Sequence, residues 1–166
     1  MNDQQLMQKI HDRWASQISV IVPEELSDFV AGLIANESEG QPDATRFEPA
    51  VFRHLAHEYP DWTPDRIREN ATSWGLTQIM GYHVVGDPHQ LTVPTNALRM
   101  TVSMLSTFRA RFYLKPDDWP GLFRCWNTGH PSGTTFDPEY VPNGLERMKA
   151  YAEICQSASP SPAVKA

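Results

Sequence analysis

Hydrophobic residues recur at spacings of three and four along much of the chain, the period of amphipathic helices. From residue 3 to about residue 20, Leu6, Ile10, Trp14 and Ile18 form one stripe. A second helix is predicted after Pro23. Leu26, Val30, Leu33 and Ile34 share its apolar face, Glu24 and Glu25 sit in a first turn that favours negative charge, and Gly40 ends it. Thr63 followed by Pro64 reads as an N-cap with proline at the first helical position, opening a short helix that stops before Ser73. A fourth helix starts at Thr92 or Pro94 and carries Leu98, Val102, Leu105, Phe108 and Phe112. The last runs from Asp137 or Glu139 to Gln156, with Leu145, Met148, Tyr151 and Ile154 inward. Strand alternation is nearly absent: residues 41–52 hold at most a minor hairpin, and residues 82–85 fit strand or helix. The pattern predicts one mainly α domain over residues 1–156, with residues 1–22 as an N-terminal helix packed on it. Residues 157–166 (SASPSPAVKA) read as a disordered tail outside the fold.

Composition narrows the function classes. The 166 residues are 40% hydrophobic and 20% charged, enough to bury a core and too apolar for a disordered chain. No apolar run is long enough to span a bilayer. The N-terminal MNDQQLMQKIHDRWASQ is polar and has no signal-peptide core, so synthesis in the cytoplasm without a secretory signal is expected. A net charge of -6 argues against nucleic acid as the partner and leaves room for a weakly charged polymer such as a glycan. Cys125 and Cys155 are too few for a disulfide scaffold; buried thiols and a single disulfide both remain open. The 14 prolines suggest many ordered loops between short elements.

One residue sits against the pattern. Continuing the stripe Leu26, Val30, Leu33 by four places Glu37 on the apolar face, near the end of the second helix. Burial and the negative end of the helix dipole both disfavour a carboxylate there, which would leave an acid able to donate a proton near neutral pH. The alternative is a helix ending at Ala35, with Glu37 solvated. A second cluster, Ser73-Trp74-Gly75-Leu76-Thr77-Gln78-Ile79-Met80-Gly81, brackets a short apolar turn with glycines and offers one amide, Gln78, to a ligand. His54 and His57 lack the glutamate of a zinc helix, so no metal is expected. Neither a Gly-x-Ser-x-Gly nucleophile motif nor a phosphate-cradling glycine loop occurs.

Taken together, Asn36-Glu37-Ser38-Glu39-Gly40, then Ser73-x-Gly75-Leu76-x-Gln78-Ile79-Met80, then Cys125-Trp126-Asn127-Thr128-Gly129, then Tyr140, resemble the lytic transglycosylase and goose-type lysozyme group of the lysozyme-like superfamily. Residues 44–52 look like the version in phage-encoded and prophage-encoded members. The resemblance implies a lysozyme-like mainly α domain with minor β structure and a substrate cleft. It implies cleavage of the β-1,4 bond between N-acetylmuramic acid and N-acetylglucosamine in peptidoglycan, with Glu37 as general acid/base and no cofactor. Ser73, Gln78 and Tyr140 match positions that line the cleft and hold sugar. Asn127 matches an asparagine with a partly structural role, and Trp126 stands where the group usually has tyrosine. Two further departures are Gly81 where proline is usual and Glu39 where glycine is usual. Glu39 is expected to point outward, since side chains two apart on a helix do not face each other. Glu48 is the best candidate for a second carboxylate; its alternative is an ion pair with Arg46 or Arg53. The resemblance leaves open a hydrolytic muramidase and a glycan-binding module without activity. It implies peptidoglycan strands as the partner of a monomer, reached through phage lysis, as part of a virion or by secretion, with action in the periplasm or outside.

Overall fold

The computed structural model describes residues 1–158, and the remaining part of the proposed tail lies outside them. Seven α-helices, three short 3-10 turns and a small three-stranded sheet make up the described residues. Helix α1 (Asp3–Ile21) opens with a capping box, in which the Asn2 side chain and Gln5 satisfy each other's backbone N–H groups. Its stripe Leu6, Ile10, Trp14 and Ile18 is buried, as the spacing predicts. Glu24–Leu26 form a 3-10 turn, so the second helix, α2 (Ser27–Ser38), starts one turn later than expected.

Helix α2 is the centre of the molecule. Phe29 through Ala35 are all buried, because α1 and α7 (Tyr140–Ala158) both pack on it within one core that also takes in Leu98, Leu122 and Phe123. A helix covered all round carries no single stripe, and the one drawn through Leu26, Val30 and Leu33 captures only part of its apolar surface. The contact with α7 is close because two glycines meet: a Cβ on Gly32 would lie 3.0 Å from the Gly144 carbonyl oxygen. Gly144 in turn accommodates the Phe123 ring, which a Cβ would meet at 2.6 Å.

Helices α4 (Pro64–Asn70), α5 (Pro94–Phe112) and α7 fall where periodicity and capping place them. Thr63 caps α4 by accepting from the Arg66 N–H. Helix α7 runs through Ser157 and Ala158, which corrects the assignment of those two residues to a disordered tail. Two helices went unpredicted. Helix α3 (Pro49–Glu58) takes the last four residues of the expected 41–52 hairpin, and its small core of Leu55, Ile67 and Ala71 is shared with α4. Helix α6 (Trp119–Thr128) has its signals in plain view: Asp118 accepts from the Gly121 N–H, proline follows Trp119, and Gly129 closes it at φ +80°.

Strand β1 (Thr45–Phe47) pairs not with a local partner but with β2 (Thr72–Trp74), in register Arg46↔Ser73. Strand β3 (Ile79–Met80) completes the antiparallel order β1-β2-β3. The true hairpin is therefore β2–β3, closed by the 75–78 turn. Residues 81–83 are 3-10 helix, which settles the ambiguity at 82–85 for neither strand nor α-helix. Both cysteines are thiols, Cys125 buried in α6 and Cys155 part-buried on α7 beside Tyr151. Among the described residues no helix is long and apolar enough to cross a membrane.

Candidate active site

Glu37 lies in the last turn of α2, which runs through Ser38 rather than stopping at Ala35. It is part-buried, not solvated. Its Oε1 accepts a short hydrogen bond from the Tyr140 hydroxyl, at the first residue of α7. Among the described residues no donor meets Oε2, which keeps some access to solvent. Burial is the strongest influence on this carboxyl and raises its pKa from 4.5 to about 7. The Tyr140 hydrogen bond and then the Arg46 charge pull the other way and lose. The result is an acid that holds its proton to neutrality with one oxygen fixed and the other open. Tyr140 is part-buried beside that carboxyl, and the loss of water around its hydroxyl raises its own pKa well above the phenol's usual value. It stays a hydrogen-bond donor at any working pH.

The flanking residues hold Glu37 in place. Ser38 is buried and donates to the Leu76 carbonyl oxygen at 2.7 Å, tying the end of α2 to the 75–78 turn. Asn36 donates from Nδ2 to the Tyr140 carbonyl oxygen at 2.8 Å, fastening α2 to the start of α7. Glu39 takes the left-handed conformation just past the helix at φ +52° and is exposed, the outward orientation expected for it. Past the helix end, Trp14 Nε1 donates to the Gly40 carbonyl oxygen and Lys9 Nζ to that of Glu39.

The 75–78 turn is built rather than loose. Gly75 has φ +77°, and a Cβ there would lie 2.1 Å from the Leu91 carbonyl oxygen, so only glycine fits. Gln78 is also left-handed, at φ +53°, a conformation uncommon outside glycine. Its amide holds it there. Nε2 donates to the carbonyl oxygens of Ala44 at 2.8 Å and Gly75 at 3.0 Å, and Oε1 accepts from the Ser73 hydroxyl at 2.9 Å. Ser73 is only 1% exposed and also reaches the Arg46 carbonyl oxygen. Its observed work is to fix Gln78 and β1 from the protein side. Gln78 itself is part-buried.

Of the remaining expected site residues, Glu48 forms an ion pair with Arg46, Oε1 to Nε at 2.7 Å, rather than with Arg53. Trp126 is half-buried in the core, and its Nε1 donates to the Thr77 carbonyl oxygen at 3.1 Å. Asn127 is exposed near the end of α6, with no hydrogen bond to Glu37 or Tyr140. Glu37, Tyr140, Ser73 and Gln78 thus belong to one connected region through Ser38, Arg46 and the turn, and Asn127 stands apart from it.

Sequence reasoning gave Arg46 no part in the site except as a partner for Glu48. The strand signal that puts residues 46 and 48 on one face was present but too short to use. Open cavities lie elsewhere on the described residues. One of ≈ 640 Å³ is lined by Asp28, Tyr151 and Cys155, and another of ≈ 630 Å³ by Tyr59, Trp62 and Tyr82. Glu37 lines neither. We favour Glu37 as the chemical centre, since concavity alone moves no proton, whereas a shifted acid fixed by a specific donor can. Among the described residues no group of three or more His, Cys, Asp or Glu side chains is placed to hold a metal ion. No protein-family model, curated protein or solved structure matches the chain.

Proposed function

We propose that this protein is a peptidoglycan-cleaving lytic transglycosylase with a lysozyme-like fold. On this proposal it breaks the β-1,4 bond between N-acetylmuramic acid and N-acetylglucosamine. What carries the assignment is the Glu37 carboxyl, neutral up to about pH 7 and gripped on one oxygen by Tyr140. The four ordered motifs supply the substrate class. Glu37 gives its proton to the glycosidic oxygen as the bond to the muramic acid C1 breaks. The ionised Glu37, steadied by the Tyr140 hydroxyl and the Arg46 charge, then takes the proton of the C6 hydroxyl as its oxygen closes on C1. The product is a 1,6-anhydro sugar, no water is consumed, and Glu37 returns to its acid form.

A single carboxylate suffices for that sequence, whereas a hydrolase normally sets two about the bond. The pairing of Glu48 with Arg46 and the exposure of Glu39 favour the one-carboxylate route. Glu37→Gln keeps the shape and removes the proton. Release of soluble fragments from purified cell walls is expected to fall by a factor of about a hundred or more. Undiminished release would refute the assignment, and binding of walls with no release by the unaltered protein would make it a glycan-binding module. Mass spectrometry separates the transglycosylase from a muramidase, since an anhydro end is lighter by one water.

A further inference from the structure

Behind Glu37 and Tyr140 runs a chain of polar contacts that joins three helices. Asn36, the residue before the acid, uses both ends of its amide. Nδ2 donates to the Tyr140 carbonyl oxygen at 2.8 Å, and Oδ1 accepts from Arg147 Nη1 at 2.7 Å. Arg147 sits on α7 and uses a second donor, Nε, on Asp3 Oδ1 at 2.9 Å, at the first residue of α1. Its side chain is 19% exposed against 37% for Asp3, so this pair is more shielded than a surface salt bridge. With the Tyr140 hydroxyl on Glu37 the path closes: Asp3, Arg147, Asn36, the Tyr140 backbone, the Tyr140 ring, Glu37.

We infer that Asn36 and Arg147 are positioning residues for the Glu37–Tyr140 pair, with Asp3 as their anchor. The physical reason is the place where Tyr140 stands. It is the first residue of α7, where backbone N–H groups lack partners within the helix, and its own N–H reaches back to the Asp137 carbonyl oxygen at 3.1 Å. A phenol mounted on the first turn of a helix moves with that turn, and its bond to Glu37 moves with it. The Asn36 amide clamps that turn by its carbonyl, and Arg147 fixes the rotation of the amide with a planar fork that lysine cannot copy. The acid and its clamp are neighbours in sequence, so a movement of α2 carries both together.

The inference rests on Glu37 being the acid/base, and its test has a readout that needs no activity. The titratable groups around Glu37 are Tyr140 from α7 and Arg46 from β1, with Glu48 and Arg147 one contact further out. Asn36→Ala adds and removes no charge, and Arg147 keeps its bond to Asp3, so a change in the Glu37 titration reports chiefly the Tyr140 contact. Carbon-13 NMR of the Glu37 carboxyl should show its midpoint moving up by several tenths of a pH unit, towards that of Tyr140→Phe. Wall lysis should fall about tenfold, with its high-pH limb displaced in the same direction. Arg147→Lys keeps the charge and most of the stem; it should give a smaller shift of the same sign, and it stands in should Asn36→Ala fail to fold. A Glu37 midpoint unmoved in the folded variants would overturn the positioning role. A moved midpoint in a protein that never releases wall fragments would keep the clamp and defeat the proposed function.

Discussion

The buried acid should betray itself in the stability of the protein before any substrate is added. In the unfolded chain Glu37 titrates near 4.5, and in the folded protein near 7. Below pH 4.5 both states hold the proton, and the folded state is at no disadvantage. Between 4.5 and about 7 the unfolded chain releases its proton while the folded protein keeps it, so stability falls as pH rises. Above about 7 both are ionised, and the loss is complete. At 1.36 kcal/mol per pKa unit the gap amounts to roughly 3 kcal/mol. Glu37→Gln stays neutral throughout, and its amide oxygen still accepts from Tyr140. The variant should match the parent within a few tenths of a kcal/mol at pH 4 and exceed it by up to about 3 kcal/mol at pH 8.5. For a chain of this size that is a rise in Tm on the order of 10 °C. Urea unfolding of both proteins across that range measures it, and the difference between them cancels every other titrating group. A difference flat with pH would mean that Glu37 titrates as an ordinary exposed carboxylate, and the premise of an acid poised near neutrality would be lost. The expected gain in stability with loss of activity fits a site whose burial of a charge serves chemistry rather than the fold.

Three more outcomes follow from the same geometry. Tyr140→Phe removes the hydrogen bond that holds the Glu37 pKa down, so the high-pH limb of wall lysis should move up by as much as about one pH unit in a pH–rate profile. Glu48→Gln breaks an ion pair at the site but no proton path, and wall lysis should drop by less than about tenfold; a hundredfold loss would make Glu48 the second carboxylate of a hydrolase. Gly75→Ala forces a Cβ to within 2.1 Å of the Leu91 carbonyl oxygen at a positive φ, and thermal melting should show a loss of at least about 3 kcal/mol or no folded protein.

Much of the helical frame was legible without coordinates. Stripes of three-and-four spacing, Thr63-Pro64 and Pro94 placed α1, α4, α5 and α7 to within a few residues, because helices are local and their caps lie beside them. The same locality located an anomalous carboxylate, Glu37, and marked residues 73–81 as a glycine-bracketed turn, whereas the left-handed backbone of Gln78 and the engagement of its amide within the protein came only with the structure. Helix α6 was missed although Asp118, Pro120 and Gly129 marked both ends, since ten residues give too few turns for a stripe to stand out. Other features lay outside local pattern altogether. Strand β1 finds its partner 27 residues away, and three residues of alternation carry no period to detect. Whether Glu37 was solvated or buried turned on Tyr140, 103 residues further along, and on α1 and α7 closing over α2. Spacing along a chain fixes which side chains share a face. Desolvation depends on what covers that face, and only the packing of distant helices decides that.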